Sequence, residues 1–198
     1  MAKLRITYNA PVILTFTLGA VFVFVITSVV PGLLAWFVAY PKLGDARSYV
    51  GLFGHILAHE SWEHLLSNFM LILLIGPILE ERRGSVPLLV MILVTASVTG
   101  LANLVFSDHA LIGASDVAFM MVLLASMVNV RSGDIPLTFI AVAVIYMGGE
   151  IARSFQSDHI SHLSHLVGGA VGAVFGFLMA GDKKSNPVPV QRRISWDE

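Results

Sequence analysis

The chain has 198 residues, of which 56% are hydrophobic and 13% charged, with a net charge of -1 and a mean hydropathy of +0.81. Soluble domains usually carry about 25% charged residues, so this composition excludes an ordinary soluble domain and indicates a polytopic membrane protein. The absence of cysteine excludes both a disulfide framework and a thiolate nucleophile. The sequence also contains no dinucleotide-binding glycine fingerprint, P-loop or zinc-ribbon spacing.

Six apolar stretches follow one another, and a helical bilayer span needs about 20 residues. In chain order they cover 11–36, 62–79, 86–106, 115–130, 137–151 and 162–180. Residues 1–10 form a short cytoplasmic head, 11–181 the membrane domain, and 182–198 a flexible cytoplasmic tail. Residues 40–57 are too many for a simple turn and are expected to pack on or in the membrane surface. The predicted fold class is an all-α polytopic membrane protein with six transmembrane helices.

Charge placement predicts the orientation. Six spans put both termini on one side, and of the 12 Lys and Arg residues nine fall on that side and three on the other. Because positive residues are enriched on the cytoplasmic side, we expect both termini in the cytoplasm of a bacterial inner membrane. Pro31 and Gly32 are expected to bend or end the first span. Glu80–Ser85 is predicted to be a tight charged turn between the second and third spans.

Polar residues recur near the starts of the second, fourth and sixth spans. His64 and Asn68 begin the second, Ser115 opens the fourth, and His165 lies early in the sixth. These spans all run from outside to inside, so the four side chains share a similar depth in the outer half of the membrane. Polar groups in a membrane helix are costly unless they serve a function. The pattern therefore predicts one polar site.

Two of these residues have neighbours that favour catalysis. Gly113 permits a tight turn before Ser115, although Ser115 alone would be read as an ordinary helix N-cap. Gly168 and Gly172 share a helical face with His165, and such a stripe of small residues lets another helix approach closely. Close approach would bring His165 within hydrogen-bond reach of Ser115, as a serine nucleophile requires.

The remaining polar groups complete the hypothesis. No acidic residue follows His165 to orient its imidazole, so the sequence predicts a Ser115–His165 dyad rather than a three-residue arrangement. Phe119, one turn after Ser115, would offer a ring face to the imidazole, or simply belong to the core. His64 and Asn68 would donate hydrogen bonds to a developing oxyanion. Ordinary interhelical hydrogen bonding is the plainer alternative.

Two histidine spacings resemble those of metal ligands. His59 and His64 lie in a segment similar to the zincin H-E-x-x-H, but they are five apart. That spacing rotates them by about 140° around a helix, so they do not converge on one ion. His159, His162 and His165 recur every third residue with only one aspartate nearby. We therefore expect no metal ion to be bound by these histidines.

Taken together, these motifs resemble the rhomboid family of intramembrane serine proteases. The matching motifs are His59, His64 and Asn68, with His55 one turn earlier; Glu80-x-Arg82-x-Gly84; Gly113-x-Ser115; and His165-x-x-Gly168-x-x-x-Gly172. The resemblance implies a six-helix rhomboid-like bundle that cleaves transmembrane protein substrates within the lipid bilayer. It also implies Ser115 as nucleophile, His165 as base, and His64 and Asn68 at the oxyanion, with no metal, no cofactor and no nucleic-acid partner. The oligomeric state is left open.

The sequence departs from the family pattern at Asp116, where the motif usually has glycine. A carboxylate beside the nucleophile could repel the oxyanion, so we expect it to lower activity. The Trp-Arg pair that some bacterial members carry in the first loop is also absent, with Val50–Gly51 in its place. Two other functions stay open. One is an inactive rhomboid-like protein that binds membrane clients, which Asp116 mildly favours. The other is a small transporter, which the apolar inner halves of the spans disfavour.

Overall fold

The computed structural model describes residues 8–127, 135–155 and 162–179. Within these residues the helices are α1 Pro11–Val29, α2 Ala46–Gly54, α3 Trp62–Arg83, α4 Ser85–Phe106, α5 Ser115–Ser126, α6 Leu137–Arg153 and α7 His162–Met179. Two single turns of 3-10 helix, Leu34–Trp36 and His55–Leu57, flank α2. The predicted tail, most of the predicted head, and His159 lie outside the described residues.

Four of the helices, α1, α3, α4 and α7, are long and apolar enough to cross a membrane, and α5 and α6 are shorter apolar helices. With 22 residues each, α3 and α4 extend about 33 Å at 1.5 Å per residue. That length matches a hydrocarbon core of about 30 Å. The predicted helical membrane bundle is therefore confirmed.

The outer face of the bundle is apolar, whereas its interior holds polar groups. Phe22, Leu74 and Phe106 are 66%, 69% and 76% exposed, while Thr95 and Thr99 have no exposed surface. This is the reverse of a soluble domain, and it suits a bundle whose outer side chains contact lipid tails. Polar groups are therefore concentrated between helices, where a site can form.

The junction between α3 and α4 is shorter than the sequence suggests. Residues 80–83 belong to α3, and Gly84, with φ +89°, alone separates the two helices. The predicted turn over Glu80–Ser85 is therefore wrong in extent. Glu80 is only 4% exposed, and its carboxylate accepts hydrogen bonds from the backbone N–H groups of Val12 and Ile13, each at 3.0 Å. It thus satisfies free donors at the start of α1, where a helix favours negative charge.

The first helix ends before the two residues that were expected to bend or end it. α1 stops at Val29, and Pro31 and Gly32 follow it, Gly32 with φ +77°. Proline cannot donate the next helical hydrogen bond, and the positive φ turns the chain back. The apolar residues up to Trp36 continue as the first 3-10 turn rather than as part of the span.

The long connection after α1 contains α2, which packs on α4. Asp45 caps α2 by accepting hydrogen bonds from the backbone N–H groups of Arg47 and Ser48, at 3.0 and 3.3 Å. The Arg47 guanidinium, hydrogen-bonded to the same carboxylate, lowers the pKa of Asp45. A Cβ at Gly100 of α4 would overlap the carbonyl oxygen of Leu52, so α2 rests directly on the α4 backbone.

α5 is the central helix, and α7 lies against it along its length. Met120 and Met121 of α5 have no exposed surface. A Cβ at Gly168 would overlap the carbonyl oxygen of Asp116, and one at Gly172 would overlap that of Met120. The stripe of small residues therefore lets the backbone of α7 contact the backbone of α5 directly at these two positions.

Candidate active site

The close packing of α5 and α7 brings Ser115 and His165 together. Ser115 is the first residue of α5, and His165 lies in the first turn of α7. The Ser115 Oγ lies 2.7 Å from the His165 Nε2, so the hydroxyl can donate to that nitrogen. Two residues 50 positions apart in the sequence therefore come within hydrogen-bond distance, which is the geometry that a serine nucleophile and its base would need.

Phe119 lies on the next turn of α5 and stacks on the imidazole of His165. The ring centroids are 4.7 Å apart and the ring planes differ by 9°. The other neighbour of Phe119 is Tyr146, which meets it edge-on at 5.5 Å. The imidazole is thus held against a flat apolar face that limits its rotation.

Glu150 of α6 contacts the other side of the same imidazole. Its Oε2 lies 2.9 Å from His165 Nδ1 and also accepts a hydrogen bond from His162 Nδ1 at 2.7 Å. The prediction that no carboxylate orients His165 is therefore wrong. Glu150 does not follow His165 in the sequence but precedes it by 15 residues, on a neighbouring helix.

A signal for Glu150 was present in the sequence. It is an acidic residue inside the fifth apolar stretch, and an ionisable group within a membrane helix is by default a candidate functional residue. Its spacing from His165 carries no periodicity, because the two residues belong to different helices. Only the packing of α6 on α7 brings them into contact.

The loop that carries Ser115 is held in place by the histidines that precede α3. The Gly113 N–H donates to the carbonyl oxygen of His55 at 3.0 Å, and the Ala114 N–H donates to His59 Nε2 at 3.3 Å. Gly113 has φ +112°, a conformation that L side chains rarely adopt. His55 and His59 therefore position the serine loop from outside the cavity.

His64 and Asn68 face this loop from α3. Ser61 caps α3 by accepting the backbone N–H of His64 at 3.2 Å, which fixes the start of the helix. A Cβ at Gly113 would lie 2.6 Å from His64 Nε2 and 3.4 Å from Asn68 Nδ2. Both donors thus lie against the backbone just before Ser115.

These groups line a cavity of about 420 Å³. Its walls include His64, Asn68, Ser115, Ser164 and His165. Asn68 Nδ2 is buried and makes no hydrogen bond within the described parts of the chain. Since an unmet buried donor is costly, this amide is a candidate to bind an oxygen atom that enters the cavity.

Asp116 does not line this cavity. Its side chain has no exposed surface, and its Oδ2 accepts hydrogen bonds from His55 Nε2, at 3.2 Å, and from Thr99 Oγ1. The Oδ1 accepts the backbone N–H of Val117 at 2.8 Å. The expected repulsion between Asp116 and an oxyanion is therefore not supported, because the carboxylate joins α5 to α4 and the first loop.

Within the part of the chain that the structure describes, Glu150, His162 and His165 form a group that could hold a metal ion. Each offers one ligand atom, and these atoms lie within 4.8 Å of one another. The two hydrogen bonds on Glu150 already account for their arrangement without an ion. The absence of a metal stays a prediction.

The comparison with known families decides the classification. The Rhomboid domain matches residues 46–182, well over half of the chain. This chain belongs to the rhomboid family. The resemblance seen in the motifs is thereby confirmed.

Two relatives show how similar this chain is in sequence to other members of the family. The chain is 25% identical over 151 residues to "Rhomboid protease GlpG" of Haemophilus influenzae, covering 74% of this chain and 79% of that protein. It is 30% identical over 160 residues to "Rhomboid-related protein 1" of Caenorhabditis elegans, covering 72% of this chain. The rhomboid described here covers 43% of the worm protein's length.

The close contact of α5 and α7 in this rhomboid leads to a prediction. Gly168→Ala would force α7 away from the Asp116 carbonyl by roughly 1 Å, because neither backbone can yield. A displacement of that size between a catalytic pair costs about 10²-fold in rate. We expect that loss in the rate of reaction with a fluorophosphonate. Gly148→Ala on α6, where no atom lies within 4 Å of the added Cβ, should react at the wild-type rate. Equal rates for the two variants would contradict the prediction.

Proposed function

We propose that this rhomboid is an intramembrane serine endopeptidase that cleaves transmembrane segments of other membrane proteins. The observation that carries the proposal is the 2.7 Å contact between Ser115 Oγ and His165 Nε2 at the wall of a cavity. Family membership supports the same reaction class.

In the proposed reaction, His165 Nε2 takes the hydroxyl proton as Ser115 Oγ bonds to the scissile carbonyl carbon. The C–N bond then breaks, and the imidazolium returns its proton to the leaving amine. Water, deprotonated by the same imidazole, then attacks the carbonyl carbon of the acyl-enzyme ester, the C–Oγ bond breaks to free the second product, and the imidazolium returns its proton to Ser115 Oγ. Apart from the substrate and the attacking water, these steps use only groups of this chain.

The oxyanion formed in each step would be bound by His64 Nε2–H and Asn68 Nδ2–H. Both groups line the cavity that Ser115 also lines. Donors that are already in place when negative charge develops stabilise the transition state without reorganisation. Substrates would need a stretch that leaves the helical form, since an intact transmembrane helix hides its carbonyl groups.

An inactive protein that binds membrane clients is the alternative class. Asp116 was the sequence feature that favoured it. With its carboxylate bonded to His55 and Thr99, Asp116 no longer favours the inactive binder over the protease.

We also propose the bacterial inner membrane as the location, with both termini cytoplasmic. The support is the excess of Lys and Arg on the predicted inner side. In this orientation the starts of α3, α5 and α7 face outward, which puts the cavity in the outer half of the membrane. The partners are then the lipid bilayer and transmembrane protein substrates.

The test is labelling of the detergent-purified protein with a fluorophosphonate, together with cleavage of a reconstituted single-span substrate. We expect the wild type to label and cleave, and Ser115→Ala and His165→Ala to do neither. Ser67→Ala is the matched control, because Ser67 lines the same cavity but its hydroxyl donates to the His64 carbonyl oxygen. Folded wild-type protein that neither labels nor cleaves would overturn the proposal and favour the client-binding alternative.

A further inference from the structure

We propose that Glu150 is a positioning residue for His165, so that the reactive group is Ser115–His165–Glu150 rather than a pair. The inference rests on the proposed function, because it assigns a role within the same reaction.

The imidazole of His165 contacts Ser115 through one ring nitrogen and Glu150 through the other. His165 Nε2 is 2.7 Å from Ser115 Oγ, and His165 Nδ1 is 2.9 Å from Glu150 Oε2. Each residue comes from a different helix: α5, α7 and α6. The Glu150 side chain is only 4% exposed, and that of His165 is 13% exposed. Little water can therefore compete for either contact.

This arrangement selects the tautomer that the reaction needs. A neutral imidazole carries one proton, and its other nitrogen is the acceptor. With the carboxylate at Nδ1, the proton stays on Nδ1 and leaves the lone pair of Nε2 directed at Ser115. When Nε2 takes the serine proton, the imidazolium lies beside a carboxylate, and a charge-assisted hydrogen bond is stronger than a neutral one. Glu150 would thus act before and during proton transfer.

His162 holds the carboxylate in position. It lies one helical turn before His165 on α7, and its Nδ1 donates to the same Oε2 at 2.7 Å. A buried carboxylate is expensive unless it has hydrogen-bond donors. Two donors on one face of α7 direct the Glu150 side chain toward His165.

Glu150 is absent from the residues that line the cavity. A substrate in that cavity would contact Ser115, His64 and Asn68, and Glu150 would act only through His165. Loss of Glu150 should therefore lower kcat and leave KM unchanged, because Glu150 makes no contact with the substrate and its effect falls on the step in which His165 takes the serine proton.

The experiment compares Glu150→Gln and Glu150→Asp in the full-length protein, using kcat and KM on the reconstituted substrate and thermal unfolding. Carboxylates that orient the histidine ligands of metal sites are typically worth 10- to 100-fold, and we expect a comparable effect from the same orienting contact here. We expect Glu150→Gln to lower kcat by about that factor with KM unchanged. Glu150→Asp, which keeps the charge, should retain more activity than Glu150→Gln. Glu80→Gln is the control, because Glu80 is equally buried and lies against α1.

The order of the two variants separates positioning from packing. A purely structural role would favour the isosteric Gln over the shorter Asp, so activity in the order Gln above Asp would overturn the inference. Wild-type kcat in Glu150→Gln would also overturn it. Both results require an active wild type, so they differ from failure of the proposed function, in which the wild type itself neither labels nor cleaves.

If both Glu150 variants fail to fold, a measurement on the wild-type protein can still test the inference. In ¹⁵N-histidine-labelled wild type, with His165→Ala to assign the resonance, we expect Nδ1 of His165 to carry the proton at neutral pH. A His165 protonated on Nε2 instead would contradict the inference.

Discussion

Asn68→Ala is expected to lower the rate of substrate cleavage by about 10²–10³-fold, the usual cost of removing one oxyanion donor. Asn68 Nδ2 is buried at the wall of the cavity and makes no hydrogen bond within the described residues. Its removal therefore breaks no contact of this donor in the resting protein. The amide would act only when negative charge forms on a bound carbonyl oxygen. We therefore expect a large fall in kcat with little change in the melting temperature.

The measurement is kcat on the reconstituted substrate, with thermal unfolding in parallel. Ser67→Ala, which alters the neighbouring residue on the same cavity wall, should keep wild-type kcat. A fall in the melting temperature that accounts for the lost activity would show that Asn68 is a packing residue. Wild-type kcat in Asn68→Ala would remove it from the proposed oxyanion site.

Asp116→Gly is expected to destabilise the protein by about 3–5 kcal/mol, the typical cost of breaking a buried pair. The carboxylate has no exposed surface and accepts hydrogen bonds from His55 and Thr99. Its removal takes this buried acceptor away from His55 and from the Val117 backbone N–H, whereas Thr99 keeps its hydrogen bond to the carbonyl oxygen of Thr95. The family-like glycine at this position should therefore lower activity in this chain, because the serine loop depends on His55.

Unfolding in detergent by added SDS measures the free energy, and Asp108→Gly on an exposed loop serves as the control. Asp116→Asn should lower the free energy of unfolding more than Asp108→Gly and less than Asp116→Gly, because its carbonyl oxygen remains a hydrogen-bond acceptor. Unchanged stability together with a higher turnover in Asp116→Gly would restore the sequence interpretation, in which the carboxylate suppresses the reaction.

Much of this fold can be read along the chain. The hydropathy pattern predicts a helical membrane bundle, because each apolar stretch in lipid must satisfy its own backbone hydrogen bonds and does so as a helix. This requirement acts within one stretch and does not depend on the rest of the fold. The stripe of Gly168 and Gly172 is also local, since residues four apart share a helical face. It correctly pointed to a close helix contact. Its partner, the backbone of α5 at Asp116 and Met120, was not specified by the pattern.

The motifs also identified, as candidate site residues, the residues that the structure places around one cavity. His64, Asn68, Ser115 and His165 stand out because each is polar at the start of an apolar stretch. Their shared depth follows from the direction of the spans alone. The 2.7 Å contact between Ser115 and His165 does not follow from the direction of the spans. Two side chains at the same depth meet only if each helix is rotated so that they face each other.

Glu150 and Asp116 are where tertiary structure alone decided the outcome. The sequence shows both carboxylates within apolar segments but not the direction in which either points. Rotation of α6 and its packing on α7 turn Glu150 toward His165, and the packing of α5 on α4 turns Asp116 toward Thr99. Contacts between helices depend on how side chains interlock over the whole interface. Composition and spacing along one helix do not contain that information.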